Sequence, residues 1–232
     1  MDGACGTELL KKGSCVSLPS LNLSHPEWVK DVHSQYARSG AQIHLTNTFS
    51  DCSHEEVRSG VRLLRETIPD AFILGDMSQA TIISYQQKAS AFLQEDVNGL
   101  MVETIRTPME SLTAARTLKD LSDKPVFISL TPLSDVSAEE EWLCLPEKLL
   151  GIGVAGIGVN CGVRYQHLQS LMQKWIQIYG PILWFVKLPF LEKESVSWLK
   201  TMKFFLDIGC QWVGGCCGTT PKDIQALNDF LK

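Results

Sequence analysis

The stretch CQWVGGCCGTTPKDIQALNDFL, residues 210–231, holds one complete structural unit and the most unusual chemistry of the chain. Its first part, CQWVGGCC (210–217), is a short apolar run that reads as a strand. Thr220-Pro221-Lys222-Asp223 then supplies a helix start, with proline in a first turn where its missing N–H is no loss, and a helix is expected over 221–231. Between strand and helix stand two adjacent cysteines, flanked by Gly214, Gly215 and Gly218. Neighbouring cysteines rarely bond to each other, because the geometry of such a disulfide is strained. The pair needs another partner.

The same strand-then-helix alternation recurs along the whole chain. Strands are expected at QIHLTNTF (42–49), AFILGDM (71–77), GLMVETI (99–105), PVFISLT (125–131), VAGIGVNC (154–161), ILWFVKLP (182–189) and CQWVGGCC (210–217). Helical patterns fall near 26–39, 54–68, 80–96, 108–121, 138–151, 164–179, 193–208 and 221–231, with further proline starts at Pro26 and Pro108 and C-terminal glycines at Gly40 and Gly209. Nearly continuous apolar strands alternating with helices imply a parallel sheet covered by helices. A helix at 26–39 precedes the first clear strand, so an eighth strand is expected before it, and MDGAC is the segment available. The expected fold is therefore an α/β (β/α)8 TIM barrel, compact, with a shortened or missing first strand; an open doubly wound sheet is the alternative. No linker or break in composition divides the chain, so 1–232 reads as one domain.

Bulk properties narrow the function. A net charge of −5 over 232 residues offers no basic surface for nucleic acid. No apolar run approaches the roughly 18 residues of a membrane span. The start MDGACGTELL lacks a secretory signal, and the eight cysteines then read as reduced thiols of a cytoplasmic protein.

In barrels of this kind the working face lies at the C-terminal ends of the strands. Those ends carry Asp2, Thr46-Asn47-Thr48, Asp76, Glu103-Thr104, Thr131, Asn160-Cys161, Lys187 and Cys216-Cys217. Polar strand ends are ordinary where a chain emerges into solvent; solvent exposure does not favour cysteine. Three thiolates with one open position suit a catalytic zinc ion, while the bland alternative makes Cys161, Cys216 and Cys217 small buried hydrophobes. Cys5, Cys15, Cys52, Cys144 and Cys210 are read as structural or incidental.

DGACGTEL (2–9), GAQIHLTNTF (40–49), VETI (102–105), GVNCG (158–162) and GGCCGTTPKDI (214–224) occur in that order. Together they resemble the homocysteine S-methyltransferase family, which includes betaine–homocysteine methyltransferase and the homocysteine-binding module of cobalamin-dependent methionine synthase. The resemblance implies a (β/α)8 barrel holding Zn2+ through Cys161, Cys216 and Cys217, with the thiol of L-homocysteine in the open position. It further implies that Glu103 meets the substrate ammonium and that Asp2 lies at the same pocket, where the following turn offers N–H groups to the carboxylate. Thr46 and Asn47 would line the substrate and donor side, and Asn160 would support the first zinc cysteine. The implied activity is methyl transfer to the homocysteine thiolate, giving methionine, in methionine biosynthesis.

Possible donors are S-methylmethionine, S-adenosylmethionine, betaine or a methyl-corrinoid protein. The chain shows no DxHxxG cobalamin pattern, so a corrinoid would arrive on a separate protein. Betaine would call for an aromatic cage, with Trp28, Trp142, Tyr85 and Trp184 as the aromatics considered. Two departures stand out: Cys5 within DGACG, and LPFLE (188–192) where many relatives carry a PNAG-type segment. The alternative functions are a homocysteine-activating subunit of a split corrinoid-dependent methionine synthase and a degenerate, non-catalytic zinc- or homocysteine-binding barrel.

Overall fold

Among the described residues, seven strands form one parallel sheet in strict chain order: β1 (Ile43–Leu45), β2 (Phe72–Ser78), β3 (Gly99–Ile105), β4 (Val126–Leu130), β5 (Gly156–Asn160), β6 (Trp184–Leu188) and β7 (Trp212–Gly215). The computed structural model describes residues 1–13, 17–162, 164–190 and 195–232. Cys15, the last two residues of LPFLE and the opening of the 193–208 helix lie outside the described residues.

Every expected strand is present, within a few residues at each end. The helices are α1 (Cys5–Leu10), α2 (Leu21–Ser24), α3 (Pro26–Arg38), α4 (His54–Thr67), α5 (Ile82–Leu93), α6 (Pro108–Leu121), α7 (Glu140–Leu143), α8 (Leu145–Ile152), α9 (Tyr165–Tyr179), α10 (Ser195–Asp207) and α11 (Pro221–Phe230). Pro26, Pro108 and Pro221 each occupy the first turn of a helix, as expected. The single helix expected over 138–151 is instead two. Pro146 has no N–H to give and its ring would collide with the carbonyl of Trp142, so the helix breaks at Cys144. The freed Trp142 carbonyl accepts the indole N–H of Trp175 at 2.8 Å. None of the described helices is long and apolar enough to cross a membrane.

The first segment departs from expectation. MDGAC does not form an eighth strand; Cys5 already begins α1. Met1 and Asp2 nevertheless hydrogen-bond to both end strands of the sheet. The Met1 nitrogen donates to Val213 O (2.7 Å) and Gly215 N to Asp2 O (2.9 Å), while Asp2 N donates to Ile43 O (2.9 Å). The Asp2 carboxylate also accepts Leu45 N at 2.8 Å.

Alternation along the strands sorts the interior. Leu45, Leu74, Met101, Phe127 and Phe185 pack together as an apolar plug, with Met1, Ile43, Phe72, Leu183 and Trp212 against it. The opposite faces of the strands join the helices in the larger core, where Trp175 stacks on Trp184 at 6.1 Å. Two residues beyond the plug along their own strands, Asp76, Glu103, Ser129 and Lys187 follow on the same inward face, with Asp76 opposite Met101 and Glu103 opposite Ser78 in the register. Polar groups there sit on an apolar floor.

Candidate active site

Cys161 immediately follows β5, and Cys216 and Cys217 follow β7; β6 lies between and holds all three backbones. Cys161 N donates to Lys187 O (3.0 Å), Cys216 N to Leu188 O (2.8 Å), and Phe190 N to Cys217 O (2.9 Å). Gly215 has no room for a side chain, since a Cβ would stand 2.2 Å from Thr219 Oγ1. Gly218 turns the chain at φ 79°. These constraints bring two consecutive cysteines to face a third from another strand.

The three thiols are free. Cys161 Sγ lies 2.6 Å from Cys216 Sγ and 3.6 Å from Cys217 Sγ. Cys216 is buried and Cys217 opens to solvent. Thiol hydrogen bonds from Cys161 and then Cys216 lower the Cys217 pKa to about 3, while the contacts of Cys161 with Cys216 and then Cys217 push Cys161 up. All three sulfurs lie within 4.8 Å of one another, a donor set that matches a tetrahedral zinc site with one position left over. Sulfurs on such an ion stand roughly 3.8 Å apart, so Cys161–Cys217 fits and Cys161–Cys216 must open.

Asn160 ties this cluster to the neighbouring strands. Its Oδ1 accepts Thr104 N (2.9 Å) and Ser129 Oγ (2.8 Å); its Nδ2 donates to Thr104 Oγ1 (2.9 Å) and approaches Cys216 Sγ at 3.9 Å. Thr131 Oγ1 donates to Asn160 O at 2.7 Å. Among the described residues, Thr104 and Cys161 are the non-glycine residues at positive φ, 66° and 51°. Such backbone persists only where the surroundings over-determine it, as these bonds do.

Beside the cysteines lies the polar level above the plug. Lys187 Nζ meets Glu103 Oε2 at 2.7 Å, both groups nearly inaccessible. Burial raises the Glu103 pKa even against Lys187. Burial opposes the Lys187 charge, yet Glu103, Asp2, Asp76 and Cys216 outweigh it and hold the ammonium protonated. Burial and then the Asp2 and Asp76 charges keep the nearby Cys5 a thiol, pushing its pKa up. Thr46 Oγ1 shares a 2.6 Å hydrogen bond with Thr48 Oγ1 and accepts Asp76 N at 2.9 Å. Asn47 Nδ2 donates to Leu18 O and Asn22 Oδ1, anchoring the loop after β1 toward α2.

Asp2, Glu103 and Asn160 thus join the cysteines at one end of the sheet. The sequence reading noted Asp76 and Lys187 only as polar strand ends. Their spacing of two from Leu74 and Phe185 was the available signal. It gave no role to Lys88, buried on the inner face of α5, whose ammonium donates to Thr48 O (2.9 Å) and Ser50 O (2.6 Å). Tyr85, Trp142 and Trp184 are buried in the helix-facing core, and Trp28 packs on His25 at 4.2 Å.

A sequence model described as homocysteine S-methyltransferase matches residues 1–231. S-methylmethionine–homocysteine S-methyltransferase BHMT2 of Pongo abelii is 25% identical over 262 aligned positions, covering 92% of this chain and 72% of that protein. Betaine–homocysteine S-methyltransferase 1 of Bos taurus is 23% identical, covering 92% of this chain but 66% of that protein. Among solved structures, the apo form of the homocysteine methyltransferase MmuM from Escherichia coli superposes with a TM-score of 0.82 at 22% identity, covering 99% of this chain and 94% of that one. A metallated form of the same enzyme gives 0.82 at 19% identity. The structural likeness carries the fold, the sequence match runs through both cysteine loops, and the chain belongs to the homocysteine S-methyltransferase family.

Proposed function

We propose that this protein transfers a methyl group to the sulfur of L-homocysteine, giving methionine. The observation that carries the reading is the convergence of Cys161, Cys216 and Cys217 within 4.8 Å in a chain of this family. These cysteines would hold zinc, which lowers the pKa of a thiol in its fourth position so that the thiolate exists near neutral pH. The protein's own residues do the rest. The carbonyls of Lys187 and Leu188 hold the backbones of Cys161 and Cys216, and Asn160 fixes the strand end between them. Glu103 and Asp2 supply negative charge for the substrate ammonium, and the apolar plug closes the pocket below. The substrate sulfur forms its new bond to carbon as the donor's methyl bond breaks, and a sulfonium donor departs as a neutral thioether.

The favoured donor is S-methylmethionine. Betaine recognition relies on aromatic faces, and Trp142, Tyr85, Trp184 and Trp28 are engaged in packing. Met1 and Asp2, bonded to both end strands, stand in for the eighth strand of a closed barrel in this reading.

The test is metal content and activity of Cys161→Ser, Cys216→Ser and Cys217→Ser. Each is expected to lose zinc and S-methylmethionine-dependent methyl transfer together, with at least ~100-fold lower turnover. Stoichiometric zinc and full activity in Cys216→Ser would overturn the site assignment.

A further inference from the structure

Among the described residues, every buried charge at this end of the sheet has a partner except one. Lys187 is paired with Glu103 at 2.7 Å. Lys88 is committed to the carbonyls of Thr48, Phe49 and Ser50. Asp2 uses one carboxylate oxygen on Leu45 N. Asp76, 5% exposed, has no hydrogen bond or ion pair to its carboxylate among the described residues, and its Oδ1 is sealed from solvent. Its backbone is well held, since its N–H donates to Thr46 Oγ1 and its C=O accepts Thr48 Oγ1 at 2.8 Å. The side chain alone is unsatisfied.

A buried carboxylate without a partner is costly, and it takes up a proton or a cation to relieve the cost. Two residues beyond Leu74, Asp76 enters the interior opposite Met101 of the plug, two positions before the register reaches Ser78 and Glu103, and the charges of Glu103 and Lys187 act on it. Asp2, Asp76 and Glu103 are three carboxylates around one lysine, so the pocket has room for added positive charge. Glu103 already shares its charge with Lys187; Asp76 has no such partner among the described residues.

Resting on the proposed function, we infer that Asp76 is a substrate-binding residue that receives the ammonium group of the amino-acid thiol, with the Lys187-oriented Glu103 as its neighbour. Burial and the nearby Glu103 charge raise the Asp76 pKa well above the ordinary carboxylate range, and an arriving ammonium counters both influences. Asp76 thereby selects an α-amino thiol over a thiol acid of the same length.

The experiment compares zinc-loaded wild type, Asp76→Asn and Asp76→Ser by calorimetric titration with L-homocysteine and with 4-mercaptobutanoate, which lacks only the amino group. Asp76→Asn preserves the side-chain shape and both backbone hydrogen bonds. Losing a charge-assisted bond is expected to weaken homocysteine binding ~10- to 100-fold while moving 4-mercaptobutanoate less than ~3-fold, with Asp76→Ser following the same pattern. Equal weakening of both thiols would make Asp76 a structural residue and overturn the inference. So would unchanged homocysteine affinity with a raised KM for S-methylmethionine, which would move its charge to the donor. Failure of wild type to bind either thiol would bring down the underlying methyltransferase reading, a result separable from selective loss in the variant.

Discussion

Lys187 shows how much can hang on one side chain in a pocket of carboxylates. Its ammonium is all but inaccessible, bonded to Glu103, and held protonated by the charges of Glu103, Asp2 and Asp76. Removing one partner of a buried pair strands the other, which typically costs about 3–5 kcal/mol. Lys187→Met is therefore expected to destabilise the protein by about 3 kcal/mol or more in urea titration, leaving three carboxylates facing one another. Replacing both members, in Lys187→Met/Glu103→Gln, should recover part of that loss because no charge of the pair remains unpaired. A single variant within about 1 kcal/mol of wild type would show that the pair does not carry buried charge in the folded protein. The residue was visible in the sequence as a polar strand end. Its partner was not, because Glu103 and Lys187 lie 84 positions apart and only the barrel-like curl of the sheet brings them together.

At the scale of elements, strands and long helices were readable because their signals are local: apolar runs for the strands, and proline and cap residues for the helix starts. Thr220 illustrates this. Its side chain accepts Asp223 N while Asp223 Oδ2 accepts Thr220 N at 2.7 Å, a reciprocal cap on α11. Thr220→Ala should cost about 1 kcal/mol in thermal or chemical unfolding, and Thr220→Ser should restore most of it. An alanine variant as stable as wild type would mean that Pro221 and packing alone start the helix. What local signals missed is equally specific. The short helices α1 and α2 have no side-chain cap bonds and little periodicity, and are held by tertiary contacts such as Asn22 Nδ2 donating to Asn47 O. MDGAC reads as a strand fragment, but the helix starting at Cys5 leaves only its first residues extended. The meeting of Cys161 with Cys216 and Cys217 was legible before the fold, from their places at the ends of two strands and from the family resemblance. The β6 backbone that holds them was not, because carbonyl partners leave no trace in side-chain identity.

For the whole molecule, residues 1–2 hydrogen-bond to both end strands of the sheet, and the sheet is wrapped by helices whose inner faces are almost wholly apolar. His33 of α3 is an exception: it is fully buried, and neither ring nitrogen has a partner among the described residues. Burial, then the neighbouring His44, lowers its pKa to about 3, and burial likewise lowers that of His44. An unfolded histidine takes its proton near pH 6.5, so below that pH the unfolded chain binds more protons than the folded one and stability must fall. The His33 contribution is intact above about pH 6.5 and is progressively lost as pH drops toward 3. At pH 5.5 this one group should already cost about 1.4 kcal/mol relative to pH 7.5, with His44 adding in the same direction. Other groups also change over that interval, among them the buried carboxylates of Asp76 and Glu103, and the comparison with a His33 variant cancels them. Unfolding free energies of wild type and His33→Phe, measured by urea titration at pH 7.5 and 5.5, give the check. The variant should lose about 1.4 kcal/mol less across the interval. Parallel losses in the two proteins would mean that His33 finds its proton in the folded state, and that the contact between α3 and the sheet is less dry than its packing requires.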